Sequence, residues 1–97
     1  MHDGMRFARL DDDQLHYVEH AGIGPAFVTR AQVTATRAVL GLDGMGADDL
    51  LAVRNAVVRH LADLKRAARD GRDMEAFDRL DRNMSGVTAV IDGLIHR

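Results

Sequence analysis

The chain has 97 residues, 46% of them hydrophobic, which is the size and composition of one globular domain rather than of a disordered segment. Thirteen Lys and Arg stand against fifteen Asp and Glu, and the resulting net charge of -2 removes the bulk attraction on which non-specific nucleic-acid binding depends. With no cysteine the chain has neither disulfides nor thiolate metal sites, and the absence of a long apolar run or a basic-then-apolar leader predicts a cytoplasmic protein without a membrane span. Lys65 is the only lysine among the basic residues, and Ala, Gly, Val and Asp are abundant, a bias that points to a GC-rich genome and to a phage or mobile element within one.

Met1 to Leu10 show no period, with Phe7 and Leu10 as their anchors. Asp11, Asp12 and Asp13 then precede apolar residues at Leu15, Val18 and Ala21, which predicts a short helix over 11–21 with an acidic first turn. Capping explains the three carboxylates better than metal binding or phosphotransfer does. Gly22-Ile23-Gly24-Pro25 ends that helix, and Thr29 with Gln32 has the spacing of a capping box for a second helix over 30–40. Its apolar contacts are Val33, Val39 and Leu40, with Gly41 as its stop. The link Gly41 to Gly46 has three glycines, yet it lacks the preceding strand and the lysine of a phosphate loop and reads as a connector.

Two long helices follow, over 48–70 and 74–95. In the first, Leu50, Val53, Val57, Leu61, Leu64 and Ala68 keep helical spacing, and in the second Phe77, Leu80, Met84, Val87, Ile91 and Leu94 form an unbroken heptad seam. Gly71 is expected to take the left-handed conformation that ends the first, and Asp73 to cap the second. Matched lengths and a short link predict an antiparallel hairpin. Leu51 and Val58 lie to one side of the first seam and Ala56 and Ala67 to the other, so the two short helices are expected to cover those sides. The expected fold is all-α: two short N-terminal helices on a long helical hairpin, completed by oligomerisation, with no strand and no internal repeat.

Three patterns carry possible chemistry. His16-Tyr17-Val18-Glu19-His20 matches the H-x-x-E-H pattern of inverted zinc peptidases, in which histidines four apart share a helix face and the glutamate activates water. Here the helix is short, a third ligand is not evident and His2, His60 and His96 have no reason to converge, so the expectation is polar surface positions and no metal. A helix-turn-helix reading of residues 30–40 and the following helix meets a long link and acidic residues at the start of the recognition helix. Ser85, the only serine, has no histidine at helical spacing, so no nucleophile is set up. The Asp residues read as solvated faces, with Glu75 to Arg79 and Asp78 to Arg82 as i, i+4 pairs.

The last helix carries an anomaly. Gly86, Ala89 and Gly93, with Val90 beside them, form a second stripe about 135 degrees from the seam, and Arg79 and Arg82 extend it toward the helix start. Each mid-helix glycine costs about 1 kcal/mol relative to alanine, so the stripe calls for a close approach by another backbone or by a ligand, unless an exposed helix end merely tolerates it. The functional expectation is a non-enzymatic homo-oligomeric interaction protein that binds a protein partner and needs no cofactor. Its rival is an oligomer that captures an anionic small molecule such as a nucleotide, with arginines for phosphate and Tyr17, Phe27 or Phe7 to stack on a base. The layout of short N-terminal segments before a long hairpin, with Gly86-Val87-Thr88-Ala89-Val90 in the last helix, resembles the phage sponges that sequester cyclic oligonucleotides. That resemblance implies the rival reading and transfers no binding position. The candidate binding residues are Tyr17, Arg79, Arg82, Gly86, Ala89 and Gly93.

Overall fold

The computed structural model describes residues 10–97, and within them every regular element is a helix: α1 Asp12–His20, α2 Arg30–Leu40, α3 Ala47–Asp70 and α4 Met74–Ile95. Phe7 and His2 lie outside the described residues. Two helix starts carry reciprocal caps. The Asp11 carboxylate accepts from the Gln14 amide at 2.8 Å while the Gln14 side chain accepts from the Asp11 amide at 2.7 Å, and Thr29 and Gln32 repeat the exchange at 3.1 and 2.8 Å. The acidic triplet therefore starts a helix.

The ends of α2 and α3 share one backbone pattern with different residues. After α2, Leu42 N–H donates to Arg37 O at 2.9 Å and Gly41 N–H to Ala38 O at 3.3 Å, with Gly41 left-handed at φ 63°. After α3, Asp73 N–H donates to Ala68 O at 2.8 Å and Arg72 N–H to Arg69 O at 3.0 Å. Here the left-handed residue is Arg72 at φ 59°, whereas Gly71 stays at φ -81°. Gly71 was the expected left-handed position. It falls one residue too early, because the shared bond pattern puts the left-handed turn on the residue just before the last donor, Gly41 before Leu42 and Arg72 before Asp73.

Helices α3 and α4 lie antiparallel, as their cross-links show: Lys65 pairs with Asp81 at 2.7 Å near the turn, and Arg54 with Asp92 at 2.7 Å near the open end. Leu50, Val53, Val57 and Leu61 of α3 meet Leu80, Val87 and Ile91 of α4 in the core, and each is nearly or fully buried. Phe77, Met84 and Leu94 of the heptad seam are only partly covered. The core is extended by Ile23 and Leu42 from the loops and by Val90, all buried.

The short helices sit on α4. Among the described residues α2 contacts α1 and α4 but not α3, and α1 reaches α3 on the side of His60. The expectation that the short helices would cover both sides of α3 is therefore corrected: Leu51 remains exposed. Val39, expected to pack inward, is also exposed, and the buried positions of α2 are Leu40 and the polar Thr36, which is fully buried. Its hydroxyl is 2.7 Å from the hydroxyl of Tyr17, which joins α1 to α2. Tyr17→Phe should cost about 1 kcal/mol, because it strands a buried hydroxyl. Adding Thr36→Val should recover much of that loss, and urea denaturation of the single and double variants checks both.

Candidate functional site

The stripe on α4 splits into two parts with different jobs. Gly86 is buried beneath the loop after α1, where an added Cβ would meet Ile23 Cγ2 at 2.2 Å and Ile23 O at 3.1 Å. No ordinary side chain tolerates that approach, so this glycine is explained by the chain's own packing. Around Gly93 a Cβ would meet nothing within 4 Å among the described residues, and both Gly93 and Ala89 are exposed.

Arg79 and Asn83, further back on α4, serve α1. A nine-residue helix leaves its last carbonyls without partners inside the helix. Asn83 Nδ2 donates to Val18 O at 3.2 Å and to Glu19 O at 3.0 Å, and Arg79 Nε donates to Glu19 O at 3.3 Å. Arg79, expected on the exposed face with Glu75, helps close the end of α1. Asn83 is fully buried, and its Oδ1 has no hydrogen-bond partner among the described residues. Arg82 is exposed, one turn from the buried glycine. Tyr17 is committed to Thr36 through its hydroxyl.

The remaining members of the stripe, Ala89 and Gly93, line a groove of about 320 Å³ between α4 and α2. Val33, Val90 and Leu94 supply its apolar wall, and Arg37 and Arg97 supply its polar margin. Arg37 is fixed there by Asp43, to which both Nε and Nη2 donate. The groove exists because α4 presents residues with little or no side chain where α2 passes. The sequence located Ala89 and Gly93, but not the arginines that accompany them, because Arg37 arrives from a different helix.

The H-x-x-E-H residues form a different constellation from the one the pattern suggests. The rings of His16 and His20 lie 4.9 Å apart, and the Glu19 carboxylate takes His60 Nε2 at 2.7 Å on one oxygen and His20 Nε2 at 3.5 Å on the other. His60, which had no evident reason to converge, thus joins α3 to α1. Among the described residues no three His, Asp or Glu side chains are arranged to hold a metal ion. Nor do α2 and α3 pack on each other as a helix-turn-helix pair does. No helix among the described residues is long and apolar enough to cross a membrane.

A second recess, of about 240 Å³, lies near the hairpin turn and is lined by Ala62, Lys65, Arg66, Arg69 and Phe77. Its character is basic where the groove is apolar. No protein-family model matches the chain, and no curated protein or solved structure matches it.

Proposed function

We propose that the chain is a non-enzymatic, homo-oligomeric helical interaction protein that binds a protein partner, with the short helices carried on the antiparallel hairpin and the α2 side as its working surface. The observation that carries this reading is an almost uncharged surface in a chain of which 29% is charged. The exposed positions of α2 are Arg30, Ala31, Thr34, Ala35, Ala38 and Val39. Phe27, 81% exposed, stands before the helix, and the groove over Ala89 and Gly93 adjoins it. Charge depletion with an exposed aromatic residue is the composition of an interface core. Alanines on one face also let a second helix approach to about 8 Å between axes.

The surface suits a second copy because a two-fold contact needs only one self-complementary patch. Two α2 helices laid antiparallel about Ala35 would set Ala31 of one copy against Val39 of the other. They would also bring Arg30 toward the Asp43 that follows the opposite helix. The groove, beside this contact, then remains for a partner's apolar side chain.

The test is light scattering and native mass spectrometry at micromolar concentration. The wild-type chain is expected as an oligomer. Ala35→Glu, at an exposed site, should weaken self-association about tenfold or more with helix content unchanged, because it buries a carboxylate at the centre of the contact. Gly93→Leu should leave the fold intact and displace whatever protein co-purifies in the groove. A strictly monomeric wild-type chain overturns the oligomer, and a partner retained undiminished by Gly93→Leu removes the groove from the proposal.

A further inference from the structure

The basic recess at the turn end of the hairpin has no part in the interaction surface, and its chemistry is of another kind. Ala62, Lys65, Arg66 and Arg69 follow each other at spacings of three, one and three, so they occupy one face of α3. Phe77 of α4 closes the recess from the opposite side. The short side chain of Ala62 leaves the space that the three cations surround. Helix α1 packs on α4 through Arg79 and Asn83 and on α3 through His60, on a different side from Lys65 and Phe77.

The three cations are held differently. Lys65 is fixed: Nζ lies 2.7 Å from Asp81 and 5.2 Å from the centre of the Phe77 ring, so its position is set before any ligand arrives. The two arginines are only loosely engaged. Arg66 approaches Asp63 at 3.7 Å and Arg69 approaches Asp70 at 3.9 Å, beyond hydrogen-bond length, and both side chains are 64% exposed. Two guanidinium forks thus flank a fixed ammonium and a half-buried aromatic wall. An ordinary helix end attracts cations toward its negative pole, which explains Arg69. That pole does not account for a recess with an aromatic side.

We propose that this recess binds a phosphate monoester of a flat, apolar group, a nucleoside monophosphate being the simplest example. Arg66 and Arg69 take the phosphate oxygens as paired donors, Lys65, held by Asp81, offers its remaining N–H donors, and Phe77 and Ala62 pack against the flat group. The site is separate from the α2 surface, so it stands or falls without the oligomer. It also lies on a different part of the molecule from Arg79 and Arg82, the arginines that the sequence alone singles out.

The experiment is calorimetric titration of the full chain with AMP, inorganic phosphate and adenosine at low ionic strength, repeated with added salt. AMP is expected to bind more tightly than phosphate, and adenosine not to bind, with affinity falling as salt rises. Arg66→Gln and Arg69→Gln should each weaken AMP binding about tenfold or more, the loss of one charge-assisted pair. Arg59→Gln, at an exposed position of α3 outside the recess, should leave it unchanged. Circular dichroism of each variant should match the wild type. An absence of heat with both AMP and phosphate overturns the site. Binding that survives both recess substitutions, or falls equally with Arg59→Gln, overturns it as well. Equal affinity for phosphate and AMP overturns the role assigned to Phe77.

Discussion

Gly86→Ala is expected to destabilise the fold by about 1–3 kcal/mol, although alanine is the better helix former. In an open helix the same change gains up to about 1 kcal/mol, so the sign of the result is diagnostic. The added methyl would stand 2.2 Å from Ile23 Cγ2 and 3.1 Å from the Ile23 carbonyl oxygen. The side chain cannot swing clear cheaply, since Ile23 is nearly fully buried and its β-branch restricts its rotamers. The loop must lift from α4, which exposes Ile23 and loosens both helices that the loop joins. Gly93→Ala is the matched control. With nothing among the described residues within 4 Å of its Cβ position, it should stabilise the helix by about 0.5–1 kcal/mol. Thermal or urea unfolding of the two variants reads both signs. A stabilised Gly86→Ala would show that Ile23 does not sit on the glycine.

Asn83→Ala should cost about 2–4 kcal/mol, which is large for a polar residue. The side chain is fully buried, and its amide donates to the carbonyls of Val18 and Glu19. Removing it leaves Glu19 O with the weaker Arg79 donor at 3.3 Å and takes from Val18 O the side-chain donor it has, and it opens a cavity between α1 and α4. The loss should be local before it is global. Only Val18 of α1 is buried, so the helix has little apolar contact to hold it once its carbonyls are unpaired. Hydrogen exchange is expected to accelerate in α1 well before α3 and α4. Uniform acceleration throughout the chain would show that Asn83 serves the core as a whole. Asn83→Asp should be worse still, because it turns a carboxylate toward two carbonyl oxygens.

The contrast between these two residues shows what the sequence could disclose. The glycine was visible as an anomaly because a mid-helix glycine breaks a local rule, and the physical demand for a close approach followed from that. What approached was not visible: Ile23 lies 63 positions earlier in the chain, in a loop whose apolar residue obeys no period. Asn83 gave no signal of any kind, since an asparagine on a helix reads as surface unless its distant acceptors are known. Thr36 and His60 escaped for the same reason. By contrast the caps at Asp11 and Thr29, the stop at Gly41 and the central seam residues rest on neighbours within four positions, and their physics is local. For the groove, the sequence supplied Ala89 and Gly93 and assigned them arginines from the same helix. The tertiary fold supplied Arg37 from α2 and sent Arg79 to α1.

The contact between Ile23 and Gly86 also acts as an index mark. Smooth helical surfaces allow neighbouring elements to slide by a turn, at about 5.4 Å per step, with only modest changes in buried area. This one does not. A shift of one turn along α4 would carry Ile23 onto Arg82 or Val90, and smaller shifts onto Asn83 or Ala89, each of which has the Cβ that the contact forbids. The next glycine, Gly93, is nearly two turns away. A single missing methyl group therefore fixes where α1 and α2 sit along the hairpin, and with them the width and position of the groove that the short helices help to form.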